Sequence, residues 1–100
     1  MALGVKQIIR LGTCGGLLAD MQVGDLVMAS AASTDSAMNR QRFGNWDYSA
    51  SADFELLWRV YEKAQQRGLR IRTGNVFSSD WFYHPDENFI EKVQKMGILA

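Results

Sequence analysis

Arg10 is the last charge of an otherwise apolar run, Val5 to Leu11, and it stands directly before Gly12-Thr13-Cys14-Gly15-Gly16. A guanidinium partly withdrawn from water must find an anion or cost on the order of several kcal/mol. The partner is either a nearby carboxylate or a phosphate. Arg grips phosphate through paired donors, and Thr13 with the turn amides could add further hydrogen bonds. Gly15 and Gly16 permit close backbone approach, but they lack the spacing of a phosphate loop or dinucleotide fingerprint, so local sequence favours a plain tight turn. Cys14 has no histidine near it in sequence to make it a nucleophile. With one cysteine and one histidine, His84, the chain offers no ligand set for a metal. A second stretch of interest is Ser78-Ser79-Asp80-Trp81-Phe82-Tyr83-His84-Pro85. Three successive aromatics in a connection either pack beneath the loop or line a pocket.

The elements that must position these residues are legible from periodicity. Val5–Leu11 reads as a largely buried strand, which places the glycine turn beyond a strand's carboxyl end, where open α/β sheets bind ligands. Leu26–Ala32 is a second apolar run of strand length after the Gly24-Asp25 turn. Ser33–Ser51 has neither period and reads as a long surface excursion. Asp53–Arg67 is an amphipathic helix with Phe54, Leu57, Trp58, Tyr61 and Ala64 on its core stripe, capped by Asp53 or Ser51 and ended by Gly68. Leu69–Phe77 alternates as a third strand. Asp86 then caps a helix with Phe89, Ile90, Val93 and Met96 on one face, stopped by Gly97. The order is that of an α/β domain. The apolar ending Ile98-Leu99-Ala100 predicts a docked final strand or a domain that continues.

One hundred residues, 22% of them charged and 47% apolar, describe a globular chain rather than a disordered or fibrous one. Eleven basic and eleven acidic residues cancel, so nucleic acid and anionic membrane are poor partners. No segment has the length or flanks of a signal peptide or membrane span. The lone Cys14 cannot form an internal disulfide, and cytoplasm is the default compartment.

The stretch IIRLGTCGG at Ile8–Gly16 resembles the bacterial hexameric type of purine nucleoside phosphorylase. So do Thr34-Asp35-Ser36, Asn39-Arg40, Arg42-Phe43, Ala52-Asp53-Phe54, Gly74–Ser78, and Asp80, Phe82 and Tyr83. The likeness runs in register along essentially the whole chain, which corresponds to about the middle two-fifths of such an enzyme. It implies a three-layer α/β/α fold with a mixed central sheet, incomplete here. Residues 1–100 are then the central part of a single domain, with N-terminal and C-terminal parts absent.

The resemblance further implies reversible phosphorolysis of purine ribonucleosides and deoxyribonucleosides to free purine and sugar 1-phosphate, in nucleoside salvage. Inorganic phosphate is a co-substrate, and no cofactor is needed. Arg10 and Thr13 fall on phosphate-binding positions; Cys14 and Gly15 border the nucleoside; Phe82 lies against sugar and base; Ser79 and Asp80 stand beside the base pocket. The full-length protein is expected to be a hexamer built as a trimer of dimers. The glycine loop before Met1, and the valine, methionine, glutamate and general-acid aspartate after Ala100, have no counterparts, so the isolated chain is expected to be inactive. Uridine phosphorylase or a nucleosidase of the same fold, and a non-catalytic truncated interaction module, are the alternatives.

Overall fold

The computed structural model describes residues 3–100. Its sheet has three strands in the order β2-β1-β3, where β1 is Leu26–Thr34, β2 is Ala50–Ser51 and β3 is Ile71–Ser78. β1 and β3 run parallel, from Leu26 opposite Ile71 to Thr34 opposite Ser78. β2 lies antiparallel on the other side of β1, with Ala31 opposite Ser51 and Ala32 opposite Ala50. The sheet is therefore mixed, as the sequence resemblance implies.

A parallel pair needs a long crossover. Here it contains α1 (Met38–Arg42), β2 and α2 (Phe54–Gln66). The register slips between Ala29 and Ala31, leaving Ser30 as a bulge on β1. The freed Ser30 carbonyl accepts from Ala52 N–H at 2.9 Å, which holds the chain leaving β2 against β1.

Asp53 is the N-cap of α2, its Oδ1 accepting from Leu56 N–H at 2.8 Å, and Gly68, at φ +66°, turns the chain out of the helix. The expected stripe is only partly covered. Ala64 is buried and Leu57 and Tyr61 are half-buried, but Phe54 is exposed and Trp58 is 49% exposed, stacked on Tyr61 at 5.8 Å between centroids. Trp58 is thus not the core residue that periodicity predicts, because the pattern marks the face and not the extent of what lies against it. The final helix, α3 (Phe89–Lys95), begins after N-cap Asn88 rather than Asp86. Asp86 Oδ1 instead accepts from Asn88 N–H at 2.9 Å in the turn before it. Val93 on α3 is 2% exposed, whereas Ile90 and Met96 on the expected apolar face stay exposed.

Val5–Leu11 is not a strand. It has no regular hydrogen-bonded structure, and Ile8 and Leu11 are exposed. Apolar runs state what a segment can bury, but a strand exists only where another strand completes its ladder. The 33–51 excursion, expected without regular structure, contains the end of β1, the five-residue α1 and the two-residue β2.

The chain's last residues contribute to the core. Ile98 is fully enclosed and Ala100 is buried. Leu99 N–H donates to Asn75 O, and Phe77 N–H donates to Ala100 O, both at 2.9 Å. The segment docks along β3, one of the two alternatives the sequence leaves open, although by these bonds rather than as a regular strand. Gly74 is what admits it: a Cβ there would lie 2.8 Å from Leu99 Cδ1. On the outer side, Leu17 N–H donates to Leu99 O at 2.9 Å and Gln94 Nε2 donates to Leu17 O at 2.8 Å. The chain just after Gly12–Gly16 is thereby tied to the sheet, although that glycine stretch runs without the tight turn expected of it. No helix among the described residues is long and apolar enough to cross a membrane.

Candidate nucleoside site

β1 and β3 end side by side, and the loops beyond their ends form the most organised polar cluster of the molecule. Thr34 Oγ1 donates to Ser78 O at 2.7 Å and accepts from Ser36 N–H at 3.0 Å, stapling the two strand ends. The next residue, Asp35, receives three donors from the loop after β3. Ser79 Oγ donates to Oδ2 at 2.7 Å, Asp80 N–H donates to Oδ1 at 3.0 Å, and His84 Nε2 approaches Oδ2 at 3.1 Å. His84 Nδ1 accepts from Asp86 N–H at 3.1 Å, so the ring proton sits on Nε2 and points at Asp35. The Asp35 side chain is 23% exposed. Its carboxyl is held below the ordinary range first by the Ser79 hydrogen bond, against the opposing effect of desolvation, and then by Asp80 N–H and His84.

The three aromatics resolve the choice left open by the sequence. Trp81, Phe82 and Tyr83 are exposed, Phe82 at 92%. Phe82 stands edge-on to Tyr83 at 4.9 Å between centroids. They line a cleft of about 360 Å³ with His84, Asp86, Glu87, Phe89 and Ile90. They do not pack beneath the loop. His84 stacks on Phe89 at 4.0 Å, and Phe89 meets Phe77 of β3 edge-on, so the base of the wall is packed against β3 while its rim is open.

A second, more polar cleft of about 370 Å³ lies beside β1 and β2 and includes Ser33, Thr34, Arg40, Asp47, Tyr48 and Asn75. Arg40 is paired with Asp47. Asn75 Nδ2 donates to Ser33 Oγ at 3.0 Å, while its buried Oδ1 has no protein partner.

The predicted site residues divide into two groups. Ser79 and Asp80 are joined through Asp35, and Phe82 stands on the loop those contacts hold. Arg10, Thr13, Cys14 and Gly15 are exposed; among the described residues Arg10 makes no ion pair, and neither cleft is lined by any of the four. Of the two partners the sequence leaves open for Arg10, a carboxylate is not found among the described residues, and Arg10 does not stand at a strand end, since its segment forms no strand. Asp35 and Asn75 are not singled out as site residues by the sequence. Asp35 has a positional signal, as the first residue past a parallel strand; Asn75 has only its polarity inside an apolar strand.

The model of the phosphorylase superfamily matches residues 1–100, and the chain belongs to that family. Its relatives include a protein named purine nucleoside phosphorylase DeoD-type from Shewanella baltica (strain OS223), 48% identical over 97 residues. A protein of the same name from Shewanella denitrificans is also 48% identical over 97 residues. The DeoD-type 2 protein of Shewanella oneidensis is 47% identical over the same length. In each case the alignment takes in 97% of this chain and 41% of the relative, so the chain spans about two-fifths of the length of the curated relatives it matches.

Proposed function

We propose that this chain contributes to a purine nucleoside phosphorylase, forming the aromatic wall and part of the phosphate side of its site. The observation that carries this reading is the Asp35-held loop beyond the ends of β1 and β3, in a sequence 48% identical to a protein named for that activity. In the reaction, a phosphate oxygen bonds to the anomeric carbon as the glycosidic bond breaks. The electron pair of that bond leaves on the purine nitrogen, which takes a proton. The products are free purine and sugar 1-phosphate, with no cofactor consumed. Arg10 and Thr13 hold the phosphate, the exposed Arg10 being available to an anion. Cys14 and Gly15 border the nucleoside. Ser79 and Asp80 stand by the base, and the open face of Phe82 lies against the sugar and shelters its developing positive charge.

The working assembly is a cytoplasmic homohexamer, a trimer of dimers. The exposed Phe54, Trp58, Ile8 and Leu11 supply apolar surface for contacts of that kind. No residue of this chain is assigned as the acid that protonates the purine, and the chain alone is expected to release no hypoxanthine from inosine.

The test replaces the aligned segment of the Shewanella baltica relative with this chain and measures phosphorolysis of inosine and uridine. Phosphate-dependent release of hypoxanthine, lost in Arg10→Ala, is the expected result. A hybrid that cleaves uridine alone, or cleaves inosine without phosphate, refutes the proposal.

A further inference from the structure

We propose that Asp35 is a positioning residue: its carboxylate is the anchor that sets the 79–84 loop, and through it the placement of Asp80 and Phe82 against a bound nucleoside. The assignment of the nucleoside rests on the function proposed above; the anchoring itself rests on geometry alone.

The three groups that converge on Asp35 are all donors. They are the Ser79 hydroxyl, the Asp80 amide and His84 Nε2–H. Two of them cannot change role, whereas Ser79 Oγ, which also accepts from Trp81 N–H at 3.1 Å, has a second lone pair and could accept here as well. The Asp80 amide can only donate. His84 cannot move its proton to Nδ1, because that nitrogen faces Asp86 N–H. Two fixed donors, one at each oxygen, require an acceptor in both places, and an ionised carboxylate is the side chain that supplies them.

Asparagine is nearly the same size, but only one of its two terminal atoms accepts. If its amide nitrogen takes the Oδ2 place, it meets His84 Nε2–H; if it takes the Oδ1 place, it meets Asp80 N–H. Either orientation sets donor against donor. Because Asp35 lies one residue past β1 and its partners lie past β3, the clash falls on the loop and leaves the strand ladder intact. The Thr34–Ser78 staple keeps the strand ends together in the variant.

The experiment compares the chain with its Asp35→Asn and Ser79→Ala variants by amide hydrogen exchange and by the 15N resonances of His84. In the parent, His84 shows the Nε2–H tautomer, and Asp80 and Trp81 amides are protected. In Asp35→Asn, exchange at Asp80 and Trp81 rises roughly ten- to hundredfold, the tautomer signature is lost, and the amides of Val76 and Phe77 are unchanged. Ser79→Ala removes one donor of the three and keeps the His84 signature. Parent-like exchange at Asp80 and a parent-like His84 spectrum in Asp35→Asn overturn the proposal, as does loosening of β3 to the same degree as the loop.

Inosine phosphorolysis by the hybrid with the Shewanella baltica relative separates the two claims. If the hybrid is active on inosine, Asp35→Asn raises its KM for inosine about tenfold, and an unchanged KM overturns the positioning role. If the hybrid is inactive on inosine while Asp35→Asn still frees the loop, the anchor stands and the proposed function falls.

Discussion

Gly74 is the position where a single carbon tests the packing of the whole sheet. A Cβ built there lies 2.8 Å from Leu99 Cδ1, 3.1 Å from Leu99 Cγ and 3.7 Å from Leu99 Cδ2. The backbone of Leu99 cannot drift to relieve this. It is clamped on one side by Asn75 O and on the other by Leu17 N–H, each at 2.9 Å, and its neighbour Ile98 is fully enclosed. Gly74→Ala therefore forces Leu99 off its rotamer or opens one of these bonds, an overpacking cost of about 1–3 kcal/mol. The gain of alanine over glycine in a strand, about 0.5–1 kcal/mol, offsets part of it. The expected net loss is about 0–2.5 kcal/mol, or a fall in Tm of up to roughly 20 °C for a chain of this size. Urea and thermal unfolding of the parent, Gly74→Ala, Leu99→Ala and the double variant measure it. Leu99→Ala clears the space the new methyl needs, so the double variant is expected to be less destabilised than the two single changes added together, by about 1 kcal/mol. Strict additivity refutes the claim that Leu99 on Gly74 is what seats the chain's end.

Other outcomes are specified by the same structure. Asp53→Ala removes the acceptor for Leu56 N–H and is expected to cost about 0.5–2 kcal/mol, seen as a lower urea midpoint. Phe82→Ala is expected to leave the urea midpoint unchanged, because the ring is 92% exposed, while weakening inosine binding; a destabilised variant contradicts the open-wall description. Asp35 and Asp86 both have folded pKa values below the ordinary 3.8, through Ser79 and Lys92 respectively as the largest cause. Their contribution to stability is thus fully present above pH 3.8 and is lost as pH falls through the lower folded values. Acid unfolding followed by circular dichroism should begin below that point and shift upward in Asp35→Asn.

What the sequence determined by itself is what depends on near neighbours. The period of Phe54–Gln66, the Asp53 cap and the turn at Gly68 are local, and all three stand. The two parallel strands were legible because Leu26–Ala32 and Leu69–Phe77 carry strand composition that nothing nearby contradicts. The likeness spread through the chain was enough to name the family.

Tertiary structure decided whatever needs a partner distant in sequence. Val5–Leu11 has a strand's composition, but no neighbour among the described residues pairs with it. Trp58 has the right phase, but too little lies over it to bury it. The contacts that make Asp35 the anchor of the loop come from residues 44 to 49 positions away. Only the parallel register that sets Thr34 beside Ser78 brings them together. A carboxylate's role is set by the donors around it, and those are supplied by the fold.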